Sequence, residues 1–345
     1  MRILIVSDAW SPQVNGVVRT LKTTIEHLRA EGEEVEIIEP GRFRTVPCPT
    51  YPEIRLSWRP GSAVMRIISE FCPDVVHIAT EGPLGLAARR AALRLGVPLT
   101  TAYHTRFPEY VKARFGVPLA WTYAYLRWFH NASRVTLIPT QVVRSDLAAR
   151  GFKHLALWSR GVDARVFFPR QGKRLDGTPP IFLYVGRVAV EKNIDAFLEL
   201  DLPGTKWVVG EGPDLARIQR DYPAVRFLGV LSQERLAEVY SGADVFVFPS
   251  RTDTFGLVLI EALACGCPVA AYPVTGPLDV IGDAPAGVLA EDLRAACLAA
   301  LRIPRQNATA HARQFTWQRA TAQFLQHLRQ AAEAGVPAAE VQPDL

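Results

Sequence analysis

The sequence predicts an α/β protein made of two doubly wound domains with parallel sheets, and three observations carry that prediction. The chain has 345 residues, about twice the ~150 residues of a typical domain. Short apolar segments alternate with segments of helical periodicity, a pattern typical of parallel strands covered by helices on both faces. A polar stretch rich in proline and glycine, at 166–180, interrupts the alternation and is typical of an interdomain linker.

The first half, residues 1–165, is expected to form an N-terminal domain. Apolar runs mark its strands, and the spacing of Val17, Leu21 and Ile25 places apolar side chains on one face of its first helix. The predicted strands are 2–7, 34–39, 74–78, 98–103, 134–139 and 154–158. The predicted helices are 16–30, 63–70, 84–95 and 142–150, with an aromatic helical region between the last two.

The second half repeats the alternation, with a C-terminal domain expected at 181–310. Its predicted strands are 181–185, 206–209, 225–228, 245–248 and 268–271, and its predicted helices are 193–200, 215–222, 233–240, 255–264 and 291–302. A long helix at 317–332, within the segment 311–334, is expected to pack back toward the N-terminal domain, and 335–345 to fray. Such sheets bind ligands at the carboxyl ends of their strands, so two facing domains predict a site in the cleft between them.

Composition excludes several classes of protein. Hydrophobic residues make up 49% and charged residues 21% of the chain, which argues against a long disordered chain. No apolar run approaches the ~20 residues of a membrane-spanning helix, and the apolar start is too short for a secretory signal. Five cysteines without a Cys-x-x-Cys pair favour reduced thiols. We therefore expect a cytoplasmic protein, or one that lies peripherally on the inner face of the cell membrane.

The charge is distributed unevenly. Residues 1–165 hold 22 Lys and Arg against 14 Asp and Glu, a balance of +8, whereas the whole chain carries only +5. A basic half predicts an anionic partner, which could be nucleic acid, a phospholipid surface or an acidic substrate. Solvated arginines are the alternative, and the charge alone leaves the two open.

Two loops of the first half follow strands and are candidates for ligand contact. Asn15-Gly16 precedes the first helix, where glycine permits a close backbone approach and the helix start offers N–H groups to an anion. The loop lacks Gly-x-Gly-x-x-Gly, so a nicotinamide dinucleotide is unsupported and an ordinary turn remains the alternative. His104 and Arg106 end another strand, and a buried structural histidine is the alternative there.

In the second half, Gly186-Arg187 ends the first strand and Lys192 lies five residues further on. A planar guanidinium, a mobile ammonium and a helix start together suit a pyrophosphate, and a solvated surface pair is the alternative. Gly210-Glu211-Gly212 ends the next strand as a tight turn compatible with a ligand.

Asp253 and Glu261 give the most specific pattern. Seven residues separate the two acids, and the N–H groups of Phe255, Gly256 and Leu257 lie between them at a predicted helix start. One acid can bind hydroxyls on one side of a phosphate group and the other acid can bind hydroxyls on the far side. This is the layout of a nucleotide sugar. A helix cap at Asp253 with an exposed Glu261 is the alternative, but an idle carboxylate in this apolar run would be costly.

The stretch from Ser250 to Ala270 resembles the signature of retaining GT-B glycosyltransferases of family 4. Glu191-Lys192 and the loops described above agree with it, and the resemblance spans roughly 1–332. It implies the GT-B fold, two Rossmann-like domains that face each other across a cleft, with the acceptor on the first and the donor on the second. His104-Thr105-Arg106 and Asp253-Thr254 resemble most the enzymes that make glycolipids and mannosides, diacylglycerol glycosyltransferases among them.

The resemblance also implies residue roles. Arg187 and Lys192 correspond to the pair that holds the donor pyrophosphate, and Asp253 stands where the family has Glu, which leaves the donor sugar open. The implied catalytic residues are His104, Arg187, Lys192 and Asp253. The implied donor-binding residues are Gly16, Gly186, Arg187, Lys192, Glu211, Gly212, Asp253, Thr254, Phe255, Gly256, Leu257 and Glu261. The implied acceptor-binding residues are Asn15, His104 and Arg106.

These inferences predict a retaining hexosyltransferase that moves a sugar from a nucleoside-diphosphate sugar to a membrane lipid such as diacylglycerol. We expect no metal, because no Asp-x-Asp ends a strand, no other cofactor and no nucleic acid partner. The basic, aromatic region at 106–134 fits an anionic membrane surface, although Trp121, Tyr125 and Trp128 could instead form core. A transferase acting on a soluble sugar or polyol, a GT-B epimerase or phosphorylase, and a nucleotide-binding module without turnover remain alternatives.

Overall fold

The computed structural model describes residues 1–13, 15–48, 51–104, 106–170 and 175–333, with the backbone alone at 51–54, 110 and 113–115. The chain divides into two units by its contacts. Unit 1 comprises Met1–Pro139, Val143–Ser159 and the described residues from Gln318 onward, and unit 2 comprises Thr140–Val142 and Arg160–Trp317.

Unit 1 is built on a parallel sheet of six strands in the order β2-β1-β5-β6-β7-β8, beside a separate antiparallel pair, β3 and β4. Its strands are β1 (Arg2–Val6), β2 (Glu34–Ile38), β3 (Thr45–Cys48), β4 (Tyr51–Ser57), β5 (Val75–Ile78), β6 (Leu99–Ala102), β7 (Val135–Ile138) and β8 (Leu155–Leu157). Helices α1 to α6 follow in chain order as Gly16–Ala30, Gly61–Phe71, Pro83–Leu95, Phe107–Phe115, Leu119–His130 and Gln141–Ala149.

The central strands β5 and β6 of unit 1 are buried throughout because helices cover the sheet on both faces. Ile3 and Ile5 pack with Leu21 and Leu28 of α1 on one face, and Leu4 packs on the other. Alternate residues of β1 thus enter opposite cores, as the twofold period of a strand requires.

Unit 2 is built on a second parallel sheet of six strands, in the order β11-β10-β9-β12-β13-β14. Its strands are β9 (Ile181–Val185), β10 (Thr205–Val209), β11 (Arg226–Phe227), β12 (Val245–Phe248), β13 (Val269–Ala271) and β14 (Gly287–Leu289). Its helices are α7 (Asp195–Leu198), α8 (Leu215–Asp221), α9 (Gln233–Gly242), α10 (Leu257–Ala264), α11 (Thr275–Val280), α12 (Leu293–Ala300) and α13 (Arg305–Ala312). Strands β10 and β12 flank β9 on opposite sides, so the chain reverses its direction of travel across the sheet there.

The last helix, α14 (Trp317–Glu333), carries Phe324 and Leu328 into the core of unit 1 beside Ile3 and Ile5. Within that core the indole Nε1 of Trp158 donates a hydrogen bond of 3.1 Å to the carbonyl of Ala320. No helix among the described residues has the length and apolar character needed to span a bilayer.

Some predicted elements differ from the observed ones. The helix expected at 193–200 is a 3₁₀ turn, Val190–Lys192, followed by the short α7, because Asn193 adopts a left-handed conformation with φ +53°. Helix α10 begins at Leu257 rather than 255, since Gly256 precedes it with φ +81°. Strands β3, β4 and β14 and helices α11 and α13 were not predicted. In the segment expected to be a linker, Phe167 is buried in the core of unit 2.

Candidate active site

The loops at the carboxyl edge of the unit 2 sheet pack backbone against backbone. A Cβ atom at Gly210, where φ is +129°, would lie 1.9 Å from the carbonyl oxygen of Gly186, and one at Gly212 would lie 2.1 Å from that of Val188. The amide of Val188 donates a 2.9 Å hydrogen bond to the carbonyl of Glu211. Side chains at these glycines would force the loops apart, so the glycines are required by the close approach of the loops after β9 and β10.

Lys192 and Asp253 meet at this edge, from the loops after β9 and β12. The ammonium Nζ of Lys192 lies 2.5 Å from Oδ1 of Asp253, and the two side chains are 20% and 19% exposed. The second carboxylate oxygen, Oδ2, is buried and has no hydrogen-bond partner among the described residues. A charged pair with one carboxylate oxygen unused can accept hydrogen bonds from hydroxyl groups of a ligand.

Two further hydrogen bonds tie the same loops together. The side-chain amide of Asn193 donates to the carbonyl of Pro249 at 3.0 Å, and the hydroxyl of Thr252 donates to the carbonyl of Glu191 at 3.1 Å. The left-handed backbone at Asn193 thus accompanies a hydrogen bond between the two loops. Together the two bonds hold the loops that carry Lys192 and Asp253.

Helix α10 starts beside this pair. Gly256 precedes it, and a Cβ there would lie 3.0 Å from Leu259 Cδ1 and 3.2 Å from Phe248 Cζ. The first-turn N–H groups of a helix lack partners within the helix, and they carry a partial positive charge suited to an anion. The start at Leu257 places this N–H cluster directly after the predicted residues Phe255 and Gly256.

Glu261 is buried, so the alternative of an exposed side chain is wrong. It is 1% exposed, and the hydroxyl of Tyr240 donates to its Oε2 at 3.4 Å. Thr254 and Phe255 are also buried, and Phe255 packs edge-on against Phe315 with 6.2 Å between ring centroids. These two side chains therefore support the loop from within.

The remaining donor-side predictions lie on the surface of the same edge. Arg187 and Glu211 are exposed, and Gly186 has a φ of +157°. The buried hydroxyl of Tyr184 donates a 2.8 Å hydrogen bond to the carbonyl of Arg187, and burial raises the pKa of that phenol. Tyr184 thus fixes the backbone that carries the Arg187 side chain.

Arg251 is a residue of this edge that the sequence analysis missed. Its guanidinium lies 3.7 Å from the ring centroid of Tyr272 and 2.8 Å from a carboxylate oxygen of Glu291. The contact with Glu291 raises the pKa of Arg251. Its place two residues before Asp253, in the loop that ends at Gly256, was the available signal.

The predicted unit 1 residues lie at the carboxyl edge of the other sheet. Asn15 caps α1 by accepting a 3.0 Å hydrogen bond from the amide of Val18, and Gly16 is the first residue of the helix. The His104 ring lies edge-on to Trp158 at 5.6 Å. Arg106 approaches Glu109 at 3.9 Å and Asp146 at 4.0 Å. Thr105 lies outside the described residues.

The sequence analysis did not name Asp8, Glu81 or His130. In the structure, Asp8 and His130 contact the loop after β5, which carries Glu81. Asp8 and Glu81 follow β1 and β5, so their place after apolar strands was a signal, whereas His130 ends α5 and gave none. Among the described residues there is no group of three or more His, Cys, Asp or Glu side chains that could hold a metal ion.

The fold and these two sheet edges define the class of protein, a glycosyltransferase with the GT-B fold. The sequence model described as "Glycosyltransferase Family 4" matches residues 14–166, and the one described as "Glycosyl transferases group 1" matches residues 167–301. The chain belongs to this family of glycosyltransferases. It is therefore an enzyme, a hexosyltransferase, and the predicted family, fold class and enzyme class are confirmed.

Similar proteins include glycosyltransferases with different named substrates. The chain is 34% identical to the GDP-mannose-dependent alpha-mannosyltransferase of Mycobacterium tuberculosis, over 84% of this chain and 83% of that protein. It is 33% identical to the sulfoquinovosyl transferase SQD2 of Arabidopsis thaliana, over 78% of this chain and 59% of that protein. The alpha-monoglucosyldiacylglycerol synthase of Streptococcus pneumoniae is 27% identical, over 87% and 78%.

Solved structures of low sequence identity share the fold. The sucrose-phosphate synthase of Thermosynechococcus elongatus superposes with a TM-score of 0.75 at 20% identity, covering 95% of this chain and 98% of that one. Anabaena HepE, solved in complex with UDP, gives a TM-score of 0.70 at 16% identity and covers 96% and 100%.

Proposed function

We propose that this enzyme is a retaining glycosyltransferase that moves a sugar from a nucleoside-diphosphate sugar to a hydroxyl group of a membrane lipid. The observation that carries the donor part is the pair of Lys192 and Asp253 at the start of α10. A mobile ammonium and a carboxylate side by side suit the phosphate and the sugar hydroxyls of one donor.

The phosphate part of the donor is assigned to Lys192, Arg187 and the first-turn N–H groups of α10. Cleavage of the glycosidic bond leaves negative charge on the nucleoside diphosphate, and positive groups aimed at that charge lower the barrier. Loss of one such contact typically costs about 3–4 kcal/mol of transition-state stabilisation. The bound diphosphate competes with Asp253 for the Lys192 ammonium.

The two acids are assigned to opposite ends of the donor. Asp253 has an unused carboxylate oxygen for a hydroxyl of the sugar, and Glu261 is assigned to the ribose. Burial of Glu261 favours this role, because the low local dielectric strengthens a hydrogen bond from the ribose hydroxyls. Asp253 is one methylene shorter than the glutamate of related enzymes, which moves its contact with the sugar.

Retention of the anomeric configuration is assigned to attack on the face from which the diphosphate leaves. Double displacement would need a carboxylate nucleophile close to the anomeric carbon, and Asp253 is assigned instead to a hydroxyl of the sugar. In the proposed step the bond from the anomeric carbon to the phosphate oxygen breaks and the acceptor oxygen bonds to that carbon. The departing phosphate oxygen takes the acceptor proton, so charge and atoms balance.

The lipid acceptor rests on the surface of α5. Trp121 is 73% and Trp128 is 49% exposed, so core packing does not account for these two rings, and Lys112 and Arg127 add exposed cations. Tyr123, Leu126 and Phe129 are buried on the other side of the helix. An amphipathic helix with exposed tryptophans and cations suits the interface of an anionic membrane. The name of the monoglucosyldiacylglycerol synthase relative agrees with a lipid product.

A soluble polyol or sugar is the second candidate acceptor. This alternative is favoured because some arginines of unit 1 already have partners within the unit. Arg106 approaches Glu109 and Asp146. The Arg89 guanidinium stacks 3.9 Å from the Trp128 ring centroid. These contacts occupy part of the charge and aromatic surface that a membrane would need.

The proposal is tested in two stages. A thermal-shift panel of UDP and GDP sugars should show stabilisation by at least one of them, as ligand binding to the folded state requires. Turnover of that donor is then compared with diacylglycerol in mixed micelles and with glycerol, and the anomeric configuration of the product is determined by NMR. We expect nucleoside diphosphate to be released only when an acceptor is present, and the product to retain the anomeric configuration. An inverted anomer, or release without an acceptor, contradicts the proposal.

A further inference from the structure

The carboxyl edge of the unit 1 sheet holds a carboxylate that the proposed mechanism does not use. Strand β5 lies between β1 and β6, so the loop after β5 lies between the loop that leads to Asn15 and the loop that carries His104. Glu81 is in this middle loop, three residues after the strand ends. Ligands of doubly wound sheets bind at this edge.

Both the backbone and the side chain of Glu81 are held by helix α5. The hydroxyl of Tyr125 donates a 2.7 Å hydrogen bond to the carbonyl of Glu81, and Nε2 of His130 lies 3.1 Å from its Oε1. His130 is buried, whereas the Glu81 side chain keeps 18% of its surface exposed. The pair therefore joins a buried imidazole to a carboxylate that is still partly accessible.

The surroundings of His130 fix its orientation. Its Nδ1 lies 2.9 Å from the hydroxyl oxygen of the buried Thr101, and its ring packs beside Phe129 and Phe152. A carboxylate only accepts hydrogen bonds, so Nε2 carries the proton that reaches Glu81. The imidazole can thus hold one oxygen of the carboxylate in a constant direction.

The loop of Glu81 is also fixed from the β1 side. Asp8 accepts hydrogen bonds from the amide of Leu84 at 2.8 Å and from the hydroxyl of Thr80 at 2.9 Å, and burial raises the pKa of Asp8. A Cβ at Gly82 would lie 2.6 Å from Asp8 Cγ. Asp8 therefore caps α3 and anchors the loop, so neither task requires the carboxylate of Glu81.

We propose that Glu81 is an acceptor-binding residue, whose carboxylate accepts a hydrogen bond from a hydroxyl group of the acceptor, and that His130 is the positioning residue that orients it. The inference rests on the proposed transferase function and assigns part of the acceptor site. One oxygen of the Glu81 carboxylate is held by His130, and part of the side chain stays exposed to a ligand. A binding site requires this kind of preorganisation.

The test compares acceptor and donor kinetics in Glu81→Gln. Glutamine keeps the size and can still accept from His130, but it removes the charge that strengthens a hydrogen bond from a hydroxyl. We expect the KM for diacylglycerol in mixed micelles, or for glycerol if that is the substrate, to rise about tenfold or more. The donor KM and the Tm should stay at wild-type values. Glu70→Gln, which changes an exposed carboxylate on α2, is the matched control.

His130→Gln should raise the acceptor KM by a smaller factor, about threefold, because the Glu81 carboxylate remains but loses its orientation. An unchanged acceptor KM in Glu81→Gln overturns the inference, and so does a lowered Tm with unchanged KM values, which would mark a structural pair. If the wild-type enzyme binds no nucleotide sugar and transfers none, the proposed function itself fails. Because donor binding is measured separately in each variant, the two failures are distinguishable.

Discussion

The carboxyl edges of the two sheets are constructed differently. In unit 2 the loops approach through glycines at 210 and 212, and an ion pair between Lys192 and Asp253 links the loops after β9 and β12. In unit 1 the corresponding edge is held by side chains from distant parts of the chain, with Asp8 bound to the loop of residues 80–85 and Glu81 bound to His130. Under the proposed function, the backbone and cations of unit 2 bind the diphosphate of the donor. The side-chain hydrogen bonds of unit 1 orient a carboxylate toward the acceptor.

The sharpest way to break this comparison is to remove the cations of unit 2. Lys192→Ala and Arg187→Ala should each lower kcat/KM by on the order of 10²-fold or more, since each loses a charge aimed at the leaving diphosphate. Steady-state kinetics measure the effect, and an unchanged Tm shows that the fold is intact. Arg220→Ala is the matched control, because Arg220 is an exposed arginine of the same unit. Near-wild-type turnover in both variants would remove the assignment of the phosphate site.

The same difference explains what the sequence could predict. Most of the predicted unit 2 residues lie in two continuous stretches, 186–192 and 248–262, so the sequence drew attention to Lys192 and Asp253, which the structure brings together. The residues Asp8, Glu81 and His130 come from three separate segments, and no local sequence pattern predicts a contact between residues 81 and 130. Only the three-dimensional structure brings them together.

The elements that escaped prediction have local physical causes. Strands β3 and β4 contain Pro47 and Pro52, which cannot donate to a ladder and so weaken a strand prediction. Helix α13 has the sequence RQNATAHA, which lacks an apolar period. The start of α10 depends on the positive φ of Gly256, which the apolar pattern of 255–264 conceals.

A second prediction concerns the surface of unit 1. Replacing Lys112, Arg114 and Arg127 with Ala together should weaken binding to anionic vesicles about a hundredfold, because each cation near the surface contributes roughly 1 kcal/mol. The Arg114 side chain is outside the described part of the structure. Vesicle sedimentation at increasing salt measures binding, and the emission of Trp121 and Trp128 should shift on addition of vesicles.

The matched control for the surface prediction removes three exposed arginines of unit 2, Arg220, Arg302 and Arg313. It should leave vesicle binding within about threefold, because the proposed membrane surface belongs to unit 1 alone. No vesicle binding by the wild-type protein, with unchanged fluorescence, would favour a soluble acceptor. The assignment of the donor residues would survive that result.

A third prediction concerns the glycines at which the loops of unit 2 approach each other, a feature that distinguishes its sheet edge from that of unit 1. Gly210→Ala should destabilise the protein by at least about 1–3 kcal/mol, because its Cβ would clash with the carbonyl of Gly186. Gly96→Ala in unit 1 is the control: it also has a positive φ, +68°, but its Cβ would meet no atom within 4 Å. The control should cost only the ~1 kcal/mol of the backbone strain. Chemical denaturation measures both, and equal losses would contradict the requirement for close backbone approach at Gly210.

The most direct test of the account is calorimetric titration of the enzyme with GDP and UDP in four forms: wild type, Lys192→Ala, Asp253→Asn and Glu261→Gln. If Lys192 binds the diphosphate and Glu261 the ribose, Lys192→Ala and Glu261→Gln should each weaken the preferred nucleotide about tenfold or more. Asp253→Asn should keep or improve that affinity, because it releases the Lys192 ammonium, and it should instead impair discrimination between donor sugars. Wild-type nucleotide affinity in Lys192→Ala, or loss of nucleotide binding in Asp253→Asn alone, would contradict the assignment.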